Sequence, residues 1–337
     1  MNMSDPVLVE VTRGPLVESR HCGAVAVFDA DGRQVLALGD VDTPVFPRSA
    51  VKAFQALPLV ETGAADRYGF GDKELALACA SHSGEPAHVA GVERMLAAAG
   101  LDASALRCGT HWPISQAAAA ALARSGEPSA LHNNCSGKHA GFLCVACAMA
   151  AETGDYFRPE HPVQRQVRAV LEDLTGVTLD DACRAIDGCS VPTWAVPLKN
   201  LALAFARFGT GRGLSPERGK AATRLREACT QEPWYVAGTG RFCTDVMQRF
   251  GARVFVKTGA EGVYCGALPE EGLGIAVKCD DGAGRAAQSI VAAVIARCLK
   301  LGDADRAALS SYAGGIQRNW NGLEVGSVRV TQILAGR

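Results

Sequence analysis

The strand-like runs of this chain fall at its two ends, and the middle is given over to helical periodicity. No other feature constrains the fold as much. Residues 7–12, 22–28 and 34–38 read as strands, the last two joined across Asp29-Ala30-Asp31-Gly32, a hairpin signal. From residue 49 the apolar spacing turns helical, with candidates at 49–61, 73–80, 86–99, 114–123, 138–151, 162–174, 198–208, 216–230 and 240–250. Strands return at 253–258, 262–268 and 274–279, then a helix at 286–301 and a last strand at 323–330. Strands joined by such short loops pair antiparallel, because a parallel crossover needs a dozen or more residues. The expectation is an α/β (α+β) protein, with an antiparallel sheet formed from both chain ends and packed with helices. It is one domain over residues 1–337, with a helical subregion at about 49–250 inserted between the terminal strands.

Charge and hydropathy remove several classes. Lys plus Arg total 34 against 35 Asp plus Glu, so nucleic acid and anionic membranes, which need a basic excess, are not expected partners. Residues 1–15 carry Asp5, Glu10 and Arg13, which leave no continuous apolar segment for a secretory signal. The strongest apolar stretch, 141–151, is about half the ~20 residues a bilayer requires. A soluble cytoplasmic protein is expected.

Thirteen cysteines, an odd number, are scattered from Cys22 to Cys298. Without an export signal they do not read as a disulfide framework. Cys144, Cys147 and Cys298 lie in apolar helical runs and read as small hydrophobes. Cys135, Cys189 and Cys243 sit in polar, Gly-rich surroundings. Trp112, Trp194, Trp234 and Trp320 read as core or interface anchors.

Ser49-Ala50-Val51-Lys52 opens a predicted helix, where positions i and i+3 share a face. A serine attacks well only when a neighbour takes its proton, and a lysine can do so if burial or a second cation lowers its pKa. Backbone N–H groups at the helix start could receive an oxyanion. The plain alternative is that Ser49 is an N-cap. Lys257-Thr258-Gly259 ends a strand, and Ser81-His82-Ser83-Gly84-Glu85 is a polar turn between the two. Serine β-lactamases and penicillin-binding proteins combine S-x-x-K, a second serine motif and K-T-G in that order, although the middle element here is not S-D-N. Cys135-Ser136-Gly137-Lys138 and Asp187-Gly188-Cys189 form a further group. Two thiolates suit zinc, with Lys138 as an unusual third donor and Asp187 in support; a pair of reactive or buried thiols is the other reading. His139 and His82 adjoin these turns.

The chain resembles the L-asparaginases of the rhizobial (thermolabile, class 3) type. The resemblance is carried by residues 48–52, 79–85, 133–139, 187–189, 240–243 and 257–262, in family order, and spans about residues 10–332. It implies a fold similar to glutaminases and serine β-lactamases, and a homodimer. It also implies two Ser–Lys pairs, Ser49 with Lys52 and Ser81 with Lys257, and one zinc ion at Cys135, Lys138 and Cys189, close to substrate. Asp187 would hold the substrate α-ammonium and Arg48 or Lys257 the α-carboxylate, since a charged ligand wants fixed counter-charges, with Cys243, Thr258 and His139 around the pocket.

The activity implied is hydrolysis of L-asparagine to L-aspartate and ammonia. One serine, Ser49 by preference, attacks the carboxamide carbon; Lys52 takes its proton; Ser81 and Lys257 relay a proton to the leaving nitrogen; water resolves the acyl-enzyme. Two other readings stand beside this one. A β-lactamase or penicillin-binding-like serine hydrolase would turn over nitrocefin. A non-enzymatic zinc or thiol sensor would release no ammonia from any amide.

Overall fold

Apolar runs near the two ends pair with each other across almost the whole length of the chain. The computed structural model of the protein describes residues 5–335. β1 (Val7–Arg13), β2 (Leu16–Asp29) and β3 (Gln34–Leu38) form the N-terminal part of the main sheet. Four short strands follow: β4 (Pro44–Val45), β5 (Arg184–Ile186), β6 (Pro192–Trp194) and β7 (Val196–Pro197). The C-terminal part holds β8 (Phe255–Thr258), β9 (Val263–Leu268), β10 (Leu273–Cys279), β11 (Gly315–Arg318) and β12 (Glu324–Val330). The main sheet has eight strands, in the order β11-β12-β1-β2-β10-β9-β8, with β3 paired to β2. Every pairing in it is antiparallel, as the short connections require.

The central strands are buried on both faces and read as near-continuous apolar runs. β9 has no exposed residue, and β10 packs directly under the helix Leu198–Thr210. Gly274 on β10 is what permits that approach: a Cβ there would strike the backbone of Ala202 and Ala206. The helix Gly284–Cys298 also packs on the sheet, while Asp72–Ala78, Pro86–Ala98, Ser136–Ala148, Pro162–Thr175 and Pro216–Gln231 pack chiefly on other helices.

Several boundaries differ from the sequence expectation. The helix expected at 49–61 is a 3₁₀ turn (Arg48–Val51) followed by two short helices, Lys52–Gln55 and Leu57–Glu61. Pro58 has no N–H for the turn before it, so it starts a new segment. The helical middle also carries two small ribbons, β4–β7 and β5–β6, that periodicity does not reveal. A helix at Asp303–Ala313 and strand β11 lie beyond the one helix expected near the C-terminus. Trp194 is buried as a core anchor, whereas Trp320 is fully exposed. All thirteen cysteines are free; Cys144 is buried, while Cys147 and Cys298 are partly exposed.

Candidate active site

Four phenylalanines tie the two halves of the site together. Phe54 packs against Phe205 and Phe208 with ring centroids 4.6 and 5.3 Å apart, and Phe208 against Phe255 at 5.3 Å. Phe54 lies two residues after Lys52, and Phe255 two before Lys257. On β8 those two positions share a face, so the ring cluster and the lysine side chain project the same way. Each buried ring contributes roughly 1.5–3 kcal/mol, enough to hold the Lys52 helix against β8.

The result is a buried chain of three polar groups. Lys52 Nζ donates to Ser81 Oγ at 3.1 Å, and Lys257 Nζ lies 2.8 Å from the same oxygen. Lys52 also donates to the Ala80 and Asn134 carbonyls at 2.6 and 3.2 Å, and Lys257 to the Thr258 carbonyl at 3.1 Å. Lys52, Ser81 and Lys257 are 1%, 4% and 0% exposed. Burial, with the Lys52 charge nearby, pulls the Lys257 amine down to about 7. A neutral Lys257 can accept a proton from the Ser81 hydroxyl as well as donate to it.

Ser49 precedes Lys52 by one turn and is partly exposed. It sits inside the 3₁₀ turn rather than at its cap, and the Ala50 N–H is already bonded to the Pro47 carbonyl at 3.1 Å. Arg48 adopts φ +51°, in the left-handed region, and lines a 740 Å³ cavity. The turn after β8 closes against this segment at Gly259, where a Cβ would sit 2.7 Å from the Pro47 carbonyl oxygen.

The Ser81 turn is fastened from behind. The Ser81 N–H donates to the Val236 carbonyl at 2.9 Å, and Ser83 Oγ to that of Ala237 at 2.7 Å. His82 accepts the Gly84 N–H on Nδ1 at 3.1 Å, which leaves Nε2–H to donate to Ser136 Oγ at 2.9 Å. Burial, then the neighbouring His88, keep this imidazole neutral.

The second sequence group forms a cluster of its own. Gly137 lets the start of the helix Ser136–Ala148 rest on the Leu77 backbone, beside the Ser81 segment. Lys138 Nζ donates to Cys189 Sγ at 3.0 Å, and the Cys189 thiol lies 3.2 Å from Asp187 Oδ2. Asp187 Oδ1 accepts from Arg48 Nε. Burial works against the Asp187 charge, yet Lys138 and Arg48 outweigh it and hold the carboxyl at about 2. A hydrogen bond from Cys189, with Lys52 and Lys138 nearby, favours the Cys135 thiolate. Cys135, Lys138 and Cys189 are all buried. Two sulfurs and a nitrogen are a donor set zinc accepts once their protons leave, so these residues fit the ion the resemblance implies. Among the described residues no group of three or more His, Cys, Asp or Glu is arranged to hold a metal, so a site here depends on the lysine.

The remaining sequence candidates are placed as follows. Cys243 Sγ lies 2.8 Å from the Tyr264 hydroxyl, both buried. Thr258 is partly exposed at the end of β8. His139 is fully buried, and its Nδ1 lies 2.7 Å from the Tyr156 hydroxyl. The contacts of Tyr156 and Tyr264 had no sequence signal, because each joins segments distant along the chain.

The chain matches the family described as L-asparaginase II over residues 9–330. None of the curated proteins matches it. Among solved structures, a β-lactamase from Mycobacterium bovis is 14% identical, with a TM-score of 0.40, over 86% of this chain and 94% of its own. A class C β-lactamase from Rhodobacter sphaeroides is also 14% identical, with a TM-score of 0.38, over 77% and 90%. The protein Mglu in its native form in 4.3M NaCl is 18% identical, with a TM-score of 0.39, over 77% of this chain; the match spans only 56% of Mglu. These are distant likenesses.

Proposed function

The chain belongs to the L-asparaginase II family, and on that premise we propose that it hydrolyses L-asparagine to L-aspartate and ammonia through Ser49, served by Lys52, Ser81 and Lys257. The observation that supports this most directly is the buried Lys52–Ser81–Lys257 chain, with bonds of 3.1 and 2.8 Å, beginning one helical turn from a more accessible hydroxyl. Ser81 is the poorer candidate for attack, because it is buried and its oxygen already meets both amines.

Ser49 Oγ bonds to the carboxamide carbon. As its proton passes to Lys52, Lys52 gives one to Ser81, and Ser81 gives one to Lys257, the amine that burial draws down to about 7 and so leaves in part unprotonated at neutral pH. The tetrahedral adduct then collapses. Its C–N bond breaks while the proton returns along the same three groups to the departing nitrogen, which leaves as ammonia. Water attacks the acyl-serine and its proton takes the same route; the C–Oγ bond then breaks, the proton returns along the three groups to Ser49 Oγ, and L-aspartate is released. Arg48, held by Asp187, offers a guanidinium to the substrate α-carboxylate.

Cys135, Lys138 and Cys189 would hold zinc, with Asp187 in support. A bound ion there would supply a Lewis-acidic centre beside Asp187 and Arg48. A homodimer is part of the same reading.

Ammonia release from L-asparagine, L-glutamine and buffer alone, with nitrocefin in parallel, tests the activity. Asparagine turnover is expected, and Ser49→Ala should lower it at least about a thousandfold with circular dichroism unchanged. Near-normal turnover in Ser49→Ala removes Ser49 as the nucleophile.

A further inference from the structure

A free amino acid carries an ammonium and a carboxylate on its α-carbon, and a pocket that takes it from water must answer both charges. A 740 Å³ cavity has in its wall Arg48, the residue before Ser49, Lys278, whose Nζ is held by the Glu261 and Cys279 carbonyls, and four carboxylates: Asp5, Asp40, Glu261 and Asp280. Three of the four are committed elsewhere. Asp40 accepts the Asp42 and Thr43 N–H groups at 3.0 Å each and the Thr43 hydroxyl at 2.6 Å. Asp5 accepts the Asp40 N–H at 2.6 Å and is hydrogen-bonded to Asp280. Asp187, behind Arg48, has one oxygen on that guanidinium and the other facing Cys189.

Glu261 differs from all of these. Among the described residues its carboxylate takes part in no hydrogen bond or ion pair, and it is exposed to the cavity. It lies on the turn that follows Lys257-Thr258-Gly259, so the segment that delivers the lysine also delivers the carboxylate. Its backbone is at φ +55°, where a residue with a side chain is strained by the order of 1 kcal/mol. Lys278 Nζ fixes that conformation by donating to the Glu261 carbonyl at 2.6 Å, and the Gly259 N–H closes the turn on the Val263 carbonyl at 2.8 Å. Glycine would meet the backbone demand without strain but would leave the cavity with no uncommitted anion.

We propose that Glu261 is a specificity-determining residue that receives the substrate α-ammonium, across the cavity from Arg48, and so restricts the enzyme to free α-amino-acid amides. The inference rests on the asparaginase reading for its substrate, but it can be read without turnover. L-aspartate and succinate differ only in the α-ammonium, and calorimetry gives the affinity of each.

Wild type should bind L-aspartate at least about tenfold more tightly than succinate, the size of a charge-assisted contact. In Glu261→Gln that preference should fall to within about threefold, with succinate affinity unchanged. The asparagine KM should rise about tenfold to a hundredfold while kcat moves less than about threefold. Glu261→Asp should recover part of the preference. If the amide variant folds poorly, Glu261→Gly, which suits the left-handed backbone, should fold and show the same loss. A wild type without preference for L-aspartate, or a preference that survives in the folded Gln or Gly variant, overturns the assignment. Absence of ammonia release by wild type overturns the proposed activity instead, and the two-ligand comparison still decides Glu261.

Discussion

Replacing Lys257 by methionine should remove activity and, at neutral pH, stabilise the fold. The side chain is completely buried, and its amine is drawn from 10.5 down to about 7. At ~1.4 kcal/mol per pKa unit, that drop amounts to about 5 kcal/mol. The sign follows from proton binding. Between pH 7 and 10.5 the unfolded chain holds a proton on this lysine that the folded chain does not, so wild-type stability rises with pH over that window. Below about 7 the full cost of the buried ammonium is present; above 10.5 it is gone. Methionine also removes the bonds to Ser81 and the Thr258 carbonyl, a loss of roughly 1–2 kcal/mol at any pH. The variant should therefore be more stable than wild type by about 3 kcal/mol at pH 6–7, and less stable by about 1–2 kcal/mol near pH 11. Urea unfolding at several pH values, followed by fluorescence, measures the crossing. Wild-type kcat should rise with pH through about 7, as Lys257 loses its proton. A stability difference that does not vary with pH, or a variant less stable at pH 6, refutes the reasoning that burial depresses this amine.

Two further outcomes test neighbouring features. Purified wild-type protein loaded under zinc-replete conditions should carry about one zinc per chain by elemental analysis, and Cys135→Ala should lose it through removal of one of two sulfur donors; zinc-free wild type rejects the metal reading. Gly259→Ala should destabilise the fold by roughly 1–3 kcal/mol and lower turnover, because its Cβ would meet the Pro47 carbonyl at 2.7 Å and Val263 Cβ at 2.9 Å; unchanged unfolding and kinetics would show that the two turns can part freely.

Much of this architecture is legible in the residues because the forces involved are local. The strands at both ends are apolar runs bounded by Gly, Asp and Pro, and alternation or continuous burial marks them whatever they pair with. Helices such as Pro162–Thr175 and Pro216–Gln231 begin at prolines, with His161 and Ser215 accepting the free N–H groups. The break at Pro58 is local as well, since a proline without an N–H marks it, but the left-handed Arg48 and Glu261 depend on contacts from far along the chain, so propensity alone could not locate them. The same holds within the site. Spacing suggests Ser49 with Lys52 and Ser81 with Lys257, but among the described residues Lys52 Nζ bonds to Ser81 and to the Ala80 and Asn134 carbonyls and not to Ser49, an arrangement that depends on the Phe54–Phe208–Phe255 packing. Glu261 carries no separate sequence signal as one acidic residue after a strand; what distinguishes it is that the other carboxylates of the cavity are occupied.

The pairing of β1 with β12 has a consequence for biogenesis. Thr12 and Ser327, whose hydroxyls meet at 3.1 Å, are 315 positions apart. During synthesis the first strands emerge with an open edge that stays unpaired until β12, more than 300 residues later, has left the ribosome. Loop closure on that scale is slow, and exposed strand edges invite association with other chains. Truncation near the C-terminus should therefore cost solubility before it touches any residue of the pocket, and yield in a heterologous host should depend on chaperones that shield nascent strands.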